Sequence, residues 1–194
     1  MRTSLSRRNN ALKGLLAPSP MATPWVLKRT ILLIALKGQK HYIMAQSLCK
    51  IYLHIIFHIK TTSVQILDTD LERVHAYIGQ LVNETGCQTI RVGGVGDHVH
   101  ALLLLSREET VSHLVEEMKR NSSRWIKSLT PHYARFAWQG GYAAFSVSQS
   151  VVDKTLAYVE NQSEHHKKRS FQEEYIDFLK LYNIEYDERY VFRD

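Results

Sequence analysis

Only two cysteines occur among the 194 residues, Cys49 and Cys87, and neither has a CxxC partner. A disulfide framework and a cysteine zinc knuckle are therefore excluded, and both thiols read as reduced, structural groups of a cytosolic protein. Long hydrophobic runs are also missing. The most apolar early stretch, Ile31 to Leu36, falls far short of the roughly 20 residues that a membrane span needs. Acidic residues are absent from residues 1–43, which hold eight cations: Arg2, Arg7, Arg8, Lys13, Lys28, Arg29, Lys37 and Lys40. Removing those eight from the 25 basic residues leaves 17 against 19 acidic ones over 44–194, a net of −2. The formal +6 of the chain thus belongs to its first segment. The body carries no global positive field, and any nucleic-acid contact there must be a local patch.

The first 43 residues also lack periodic order and contain the turn signals Ala17-Pro18-Ser19-Pro20 and Thr23-Pro24. An acid-free basic segment would suit a targeting peptide. The reading adopted is that Met44 is the natural start and that residues 1–43 are a disordered or non-native extension. Residues 44–194 are long enough for one substantial core, and no internal repeat or low-complexity tract interrupts them.

From Met44 the hydrophobic pattern alternates between strand and helix periods. Leu48 to Thr61 is rich in β-branched and aromatic residues and predicts a central strand. From Asp70, Leu71, Val74, Ile78, Leu81 and Val82 recur at helical spacing, and Gly86 closes that helix. Gln88 to Val95 and His98 to Leu105 predict two further strands, joined by a turn in the glycine-rich Gly93 to Asp97. A helix is expected from about Thr110 to Leu129, with Val111, Leu114, Val115, Met118 and Trp125 as its buried stripe, and Pro131 ends it. Tyr142 to Gln149 alternates as a strand, Ser150 is expected to cap the next helix, and Phe171 to Leu181 forms a last amphipathic one. The order β-α-β-β-α-β with C-terminal helices is that of an α+β, ferredoxin-like fold: an antiparallel sheet with helices on one face.

Two motifs in this frame carry chemistry. In a strand, residues i and i+2 face the same way, so His98 and His100 present two imidazoles side by side, a donor pair suited to a divalent metal. Asp97 is placed to orient one ring. A hydrogen-bonded core histidine next to an unrelated one explains the same spacing more simply. On the later helix Val152, Leu156 and Val159 form a stripe that must pack on the sheet, while Tyr158, Gln162 and His165 form a second stripe about a quarter-turn away. By periodicity alone an ordinary surface Tyr and Gln fit that pattern. The following run Ser163-Glu164-His165-His166-Lys167-Lys168-Arg169 would give the phenol a cationic flank. If Gln162 joins the two histidines, the three neutral donors leave a cation most of its charge for phosphate oxygens. A tyrosine, with an ordinary pKa of about 10, would then have help to ionise and attack.

The His-hydrophobic-His strand and the Tyr-x-x-x-Gln helix resemble the IS200/IS605 single-tyrosine transposases of the HUH endonuclease group, including relatives that act on chromosomal palindromic repeats. Further matches are Trp138-Gln139-Gly140-Gly141-Tyr142 leading into Phe145-Ser146-Val147-Ser148, and Asn161-Gln162 followed by His165-His166. The resemblance covers residues 47–190. It implies His98, His100 and Gln162 as ligands of Mg²⁺ or Mn²⁺ and Tyr158 as the nucleophile. It also implies single-stranded DNA with imperfect palindromes as substrate, a cytoplasmic setting in a bacterial or archaeal cell, and no membrane. A homodimer is implied as well, in which one subunit's tyrosine helix completes the other's histidine site.

Lys119, Arg120, Arg124 and Lys127, with Lys167, Lys168 and Arg169 nearer the chemistry, are the expected DNA-backbone contacts, although charged helix runs are often just solvated faces. Trp138, Tyr142 and Phe145 are candidates for stacking on bases, with at least two of them expected in the core or an interface. Two competing classes remain: a non-catalytic or domesticated hairpin-binding module, and a metal-dependent hydrolase without a covalent step. The Tyr158/Gln162 pair favours the covalent enzyme.

Overall fold

The computed structural model describes residues 48–167 and 169–192, so the reading of residues 1–43 lies outside it. The elements in chain order are β1 (Ile51–His58), α1 (Asp68–Glu84), β2 (Gln88–Val95), β3 (His98–Leu105), α2 (Val111–Leu129), a 3₁₀ turn (Pro131–Arg135), β4 (Ala143–Val147), a second 3₁₀ turn (Gln149–Val151), α3 (Val152–Glu160), α4 (Gln162–His166), α5 (Phe171–Leu181) and α6 (Glu188–Val191). The four strands form one antiparallel sheet in the order β2-β3-β1-β4. This is the ferredoxin-like arrangement, with β3 inserted between the two strands that α1 connects.

Alternation along β1 and β3 divides the sheet into two faces. Leu53, Ile55 and Phe57 of β1 and Val99, Ala101 and Leu103 of β3 point to one side, against Val74, Ile78 and Val82 of α1 and Leu114, Val115, Met118 and Ile126 of α2. Burying each large aliphatic side chain there contributes about 1.5–3 kcal/mol, so this face holds the main core. The other face carries Tyr52, His54, Ile56 and His58 opposite His98, His100 and Leu102. It is covered by the C-terminal helices through two smaller clusters. One joins Ile56, Ala143 and Phe145 to Phe171, Tyr175 and Leu179; the other joins Leu102 and Val147 to Val152 and Val159.

Three local expectations are corrected. In α2 the i, i+4 row Met118, Ser122, Ile126 faces the core, and Ile126 takes the place expected for Trp125. Trp125 is half-buried against the edge of that core and stacks on Tyr77 at 4.4 Å. Ser150 does not cap the tyrosine helix: the chain enters it through the Gln149–Val151 turn, and the N-cap, Val151, makes no side-chain cap bond. The helix carrying Tyr158 is also not continuous to Gln162, because Asn161 sits at φ −97°, ψ 21° between α3 and α4. The close seat of α3 has a backbone cause at Gly93: a Cβ there would lie 2.3 Å from the Val159 carbonyl oxygen.

Candidate metal centre and nucleophile

Strand β3 pairs on both edges, and its first and third residues are completely buried on the face that the C-terminal helices cover. His98 lies opposite His58, and His100 opposite Ile56. His98 donates from Nδ1 to Asp97 Oδ1 at 2.6 Å. Burial pushes the Asp97 carboxyl up, but the His98 hydrogen bond and charge outweigh it and hold the group below the usual carboxylate value. His166 of α4 donates from Nδ1 to the Arg169 carbonyl at 3.0 Å. His100 Nδ1 lies 2.9 Å from Nε2 of His54 on β1. With these Nδ1 atoms engaged, the Nε2 atoms are left to face inward.

Inward they meet an amide and a carboxylate. Gln162 Oε1 is 3.3 Å from His98 Nε2 and 3.0 Å from His166 Nε2. The Gln162 amide nitrogen donates to the Tyr158 carbonyl at 3.3 Å and to Glu174 Oε1, on α5, at 3.4 Å. Glu174 Oε2 stands 2.8 Å from His166 Nε2, an ion-pair distance without hydrogen-bond geometry. Glu174 Oε1 lies 3.8 Å from His100 Nε2, which is buried with no hydrogen-bond partner. One ligand atom from each of His98, His100, His166 and Glu174 falls within 4.8 Å of all the others.

This donor set fits a divalent cation. Cis donors bound at about 2.1 Å stand about 3 Å apart, which is the spacing of Gln162 Oε1 from the two Nε2 atoms. Lone pairs crowded this closely repel unless a cation or a proton lies among them. The electrostatics agree. Burial lowers the His100 pKa well below its ordinary value, and burial first, then the neighbouring His98, lowers that of His166. Burial also pushes the Glu174 carboxyl up to about 7. His100, His166 and Glu174 therefore each disfavour their own charged form in the absence of a compensating ion.

The tyrosine stands at the edge of this centre. Its ring meets His100 edge-on at 5.8 Å and His54 edge-on at 6.2 Å, with His165 tilted against it at 5.1 Å. Val152 and Val159 hold α3 to the sheet, as the apolar stripe predicted, with Leu156 beside them. Gln162, at 1% exposure, is a buried centre residue instead of the exposed side chain that periodicity alone allowed. The histidine and tyrosine motifs thus meet within one chain.

The expected DNA contacts are placed less uniformly. The Lys119 ammonium donates to the carbonyls of Gln139, Gly140 and Gly141 at 2.5, 3.1 and 2.8 Å, and burial lowers its pKa to about 8. Arg120 pairs with Glu116 and Glu117, Lys167 with Glu164, and Arg169 with Asp177. Arg124 and Lys127 are exposed, and Lys168 lies outside the described residues. Trp138 and Phe145 are buried, with Trp138 Nε1 donating to Ser122 Oγ at 2.9 Å, whereas Tyr142 remains 40% exposed.

Three centre residues escaped the reading of the sequence: His54, His166 and Glu174. His166 follows Gln162 at the same i, i+4 spacing that links Gln162 to Tyr158, which is a usable signal. His54 shares a strand face with His58 in an otherwise apolar run. Nothing in the spacing marks Glu174, because a separate helix brings it in.

Residues 47–162 match the family described as Transposase IS200 like, more than half of the chain. His166 and Glu174 lie beyond the matched stretch. No curated protein matches the chain significantly. Among solved structures, a protein from Deinococcus radiodurans R1 assigned as a transposase shares 21% identity at a TM-score of 0.48, over 61% of this chain and 98% of that one. A REP-associated tyrosine transposase bound to a REP hairpin shares 13% identity at a TM-score of 0.48, over 66% of this chain and 74% of that one. With the fold, the paired histidines and the tyrosine helix in place, the matched stretch identifies the chain as a member of the IS200-like transposase family.

Proposed function

We propose that this protein cleaves and rejoins hairpin-containing single-stranded DNA through a 5′-phosphotyrosine intermediate, with Tyr158 as nucleophile. The observation that carries this reading is the meeting of the two motifs, with Gln162 Oε1 3.3 Å from His98 Nε2 and the Tyr158 ring against His100. His98, His100 and Gln162 would hold a divalent cation, Mg²⁺ or Mn²⁺, with His166 and Glu174 available to the same ion. When bound, the ion supplies Lewis-acid polarisation of the scissile phosphate.

The chain's own residues do the rest. Tyr158 Oη bonds to phosphorus as the bond from phosphorus to the 3′ oxygen breaks, and the phenolic proton ends on that 3′ oxygen. No water is consumed, so the phosphodiester energy is retained and the step runs backwards to join strands. Asp97 and the Arg169 carbonyl hold His98 and His166 with Nε2 inward. Arg124 and Lys127, exposed on α2, with Lys167 and Arg169 beyond Gln162 and the neighbouring Lys168 of the sequence, would contact the DNA backbone. Residues 1–43 lie outside the matched domain, and their removal is expected to leave activity unchanged.

Labelled hairpin-containing single-stranded DNA and Mn²⁺ should give an SDS-resistant protein–DNA adduct. Tyr158→Phe should abolish the adduct while leaving binding largely intact, and an adduct formed by that variant sinks the assignment of the nucleophile. Mixing Tyr158→Phe with His100→Ala separates assembly within one chain, as the geometry has it, from the homodimeric exchange that the resemblance implies. Recovery of adduct in the mixture requires exchange.

A further inference from the structure

Two of the three inward-facing imidazoles have an unambiguous orienting partner. His98 Nδ1 meets a carboxylate and His166 Nδ1 meets a backbone carbonyl, so the proton must sit on the histidine. His100 is different. Its Nδ1 faces a second imidazole nitrogen, His54 Nε2, at 2.9 Å, and the two rings are stacked with centroids 5.1 Å apart. Between two such nitrogens the proton can sit on either. If His54 Nε2 carries it, a neutral His100 carries its own proton on Nε2. That buries an N–H with no hydrogen-bond partner and aims it at the other donors. If His100 Nδ1 carries it, the Nε2 lone pair faces the centre and can bind an ion.

We propose that His54 is a positioning residue: it accepts the hydrogen bond from His100 Nδ1 and fixes the tautomer in which His100 Nε2 is a metal donor. The role rests on the metal-binding reading above, and it follows the rule that a ligating imidazole donates its other N–H to a fixed acceptor. His54 is built for it. It is 2% exposed on β1, with the rings of Tyr158, Phe145 and Phe178 around it.

The tautomer is read directly from long-range ¹H–¹⁵N spectra of the metal-free protein. In the wild type, His100 should be protonated on Nδ1 and bare on Nε2, with His54 Nε2 bare. His54→Phe keeps a stacked ring without an acceptor, whereas His54→Gln places an amide oxygen near the lost Nε2. Mn²⁺ binding, followed by the electron-spin signal of the free ion, should weaken about 10–100-fold in His54→Phe and return to within a few-fold of wild type in His54→Gln. A wild-type His100 protonated on Nε2 overturns the proposal, and that measurement needs no variant to fold. A folded His54→Phe with wild-type Mn²⁺ affinity overturns it too, as does equal weakening in both variants with the tautomer unchanged. Failure of the wild type to bind Mn²⁺ refutes the metal-binding reading and with it the ligand role of His100, while the spectra still decide which nitrogen accepts.

Discussion

Replacing Gly93 by alanine tests how the helix that carries Tyr158 is held without touching any residue of the centre. The added Cβ would stand 2.3 Å from the Val159 carbonyl oxygen and 3.0 Å from Val159 Cγ1. A carbon–oxygen contact relaxes at about 3.3 Å, so α3 must move about 1 Å off β2. No flexible side-chain end is available to give way, because the obstructing oxygen is helix backbone one residue after Tyr158. Overpacking of this kind costs about 1–3 kcal/mol, which corresponds to a fall of roughly 3–10 °C in Tm for a domain of this size. The functional effect should be larger in proportion. A displacement of about 1 Å in a reacting group costs about 100-fold in rate. The assay is the initial rate of adduct formation on hairpin-containing DNA with Mn²⁺, with a thermal melt on the same preparation. Gly140→Ala is the control, since nothing lies within 4 Å of a Cβ there. If Gly93→Ala keeps the wild-type rate and Tm, the seating of α3 on β2 described here is wrong.

Acid should destabilise the fold through two desolvated imidazoles, the buried His54 and the half-buried His75. His54 and His75 both have pKa values lowered by burial to about 4 from 6.5, so the stability they contribute is complete above 6.5 and is lost as pH falls towards 4. Two such groups give a slope of up to about 2.7 kcal/mol per pH unit in that window, and urea melts at pH 7 and pH 5 measure it. A flat profile in Glu174→Gln, where the opposing carboxyl is removed, refutes the desolvation of both rings. Glu174 acts in the opposite sense: its carboxyl is raised to about 7 from 4.5, so its stabilising protonation is complete below 4.5 and lost as pH rises through 7. Glu174→Gln should therefore stabilise the metal-free protein at pH 8, by up to about 3 kcal/mol, while weakening Mn²⁺ binding. Ser122→Ala leaves the buried Trp138 Nε1 without its acceptor and should cost about 1–3 kcal/mol in a denaturant melt.

The parts of this fold that could be read in advance are those whose information is local. Strands β2 and β3 have the bounds that their flanking turn residues announce, and Phe171 to Leu181 is a helix at the expected ends. The sheet order follows from the order of elements, because a short link between β2 and β3 leaves them antiparallel neighbours. What could not be read is tertiary. Trp125 and Ile126 are both apolar and adjacent, and only the packing of α2 on the sheet selects Ile126. The break at Asn161 leaves no mark on the apolar stripe, because Val152, Leu156 and Val159 all precede it. His166 was hidden by its neighbours, since in a run of Lys and Arg a histidine reads as one more cation. Glu174 becomes a centre residue only because α5 folds back over β3.

The placement of the two motifs on such different elements divides the centre by its resistance to local opening. His98 and His100 belong to an inner strand hydrogen-bonded on both sides, so displacing their backbone means dismantling the sheet. Helix α3 is clasped by two fully seated valines, Val152 and Val159, whose release costs about 1.5–3 kcal/mol each. In the proposed reaction the severed DNA end is tied to Tyr158, the part of the centre cheapest to lift, while the imidazoles that meet the next phosphate stay put. The chain thereby joins an anchored anvil to a detachable handle, and the low-energy opening that this requires is local, far below the cost of global unfolding.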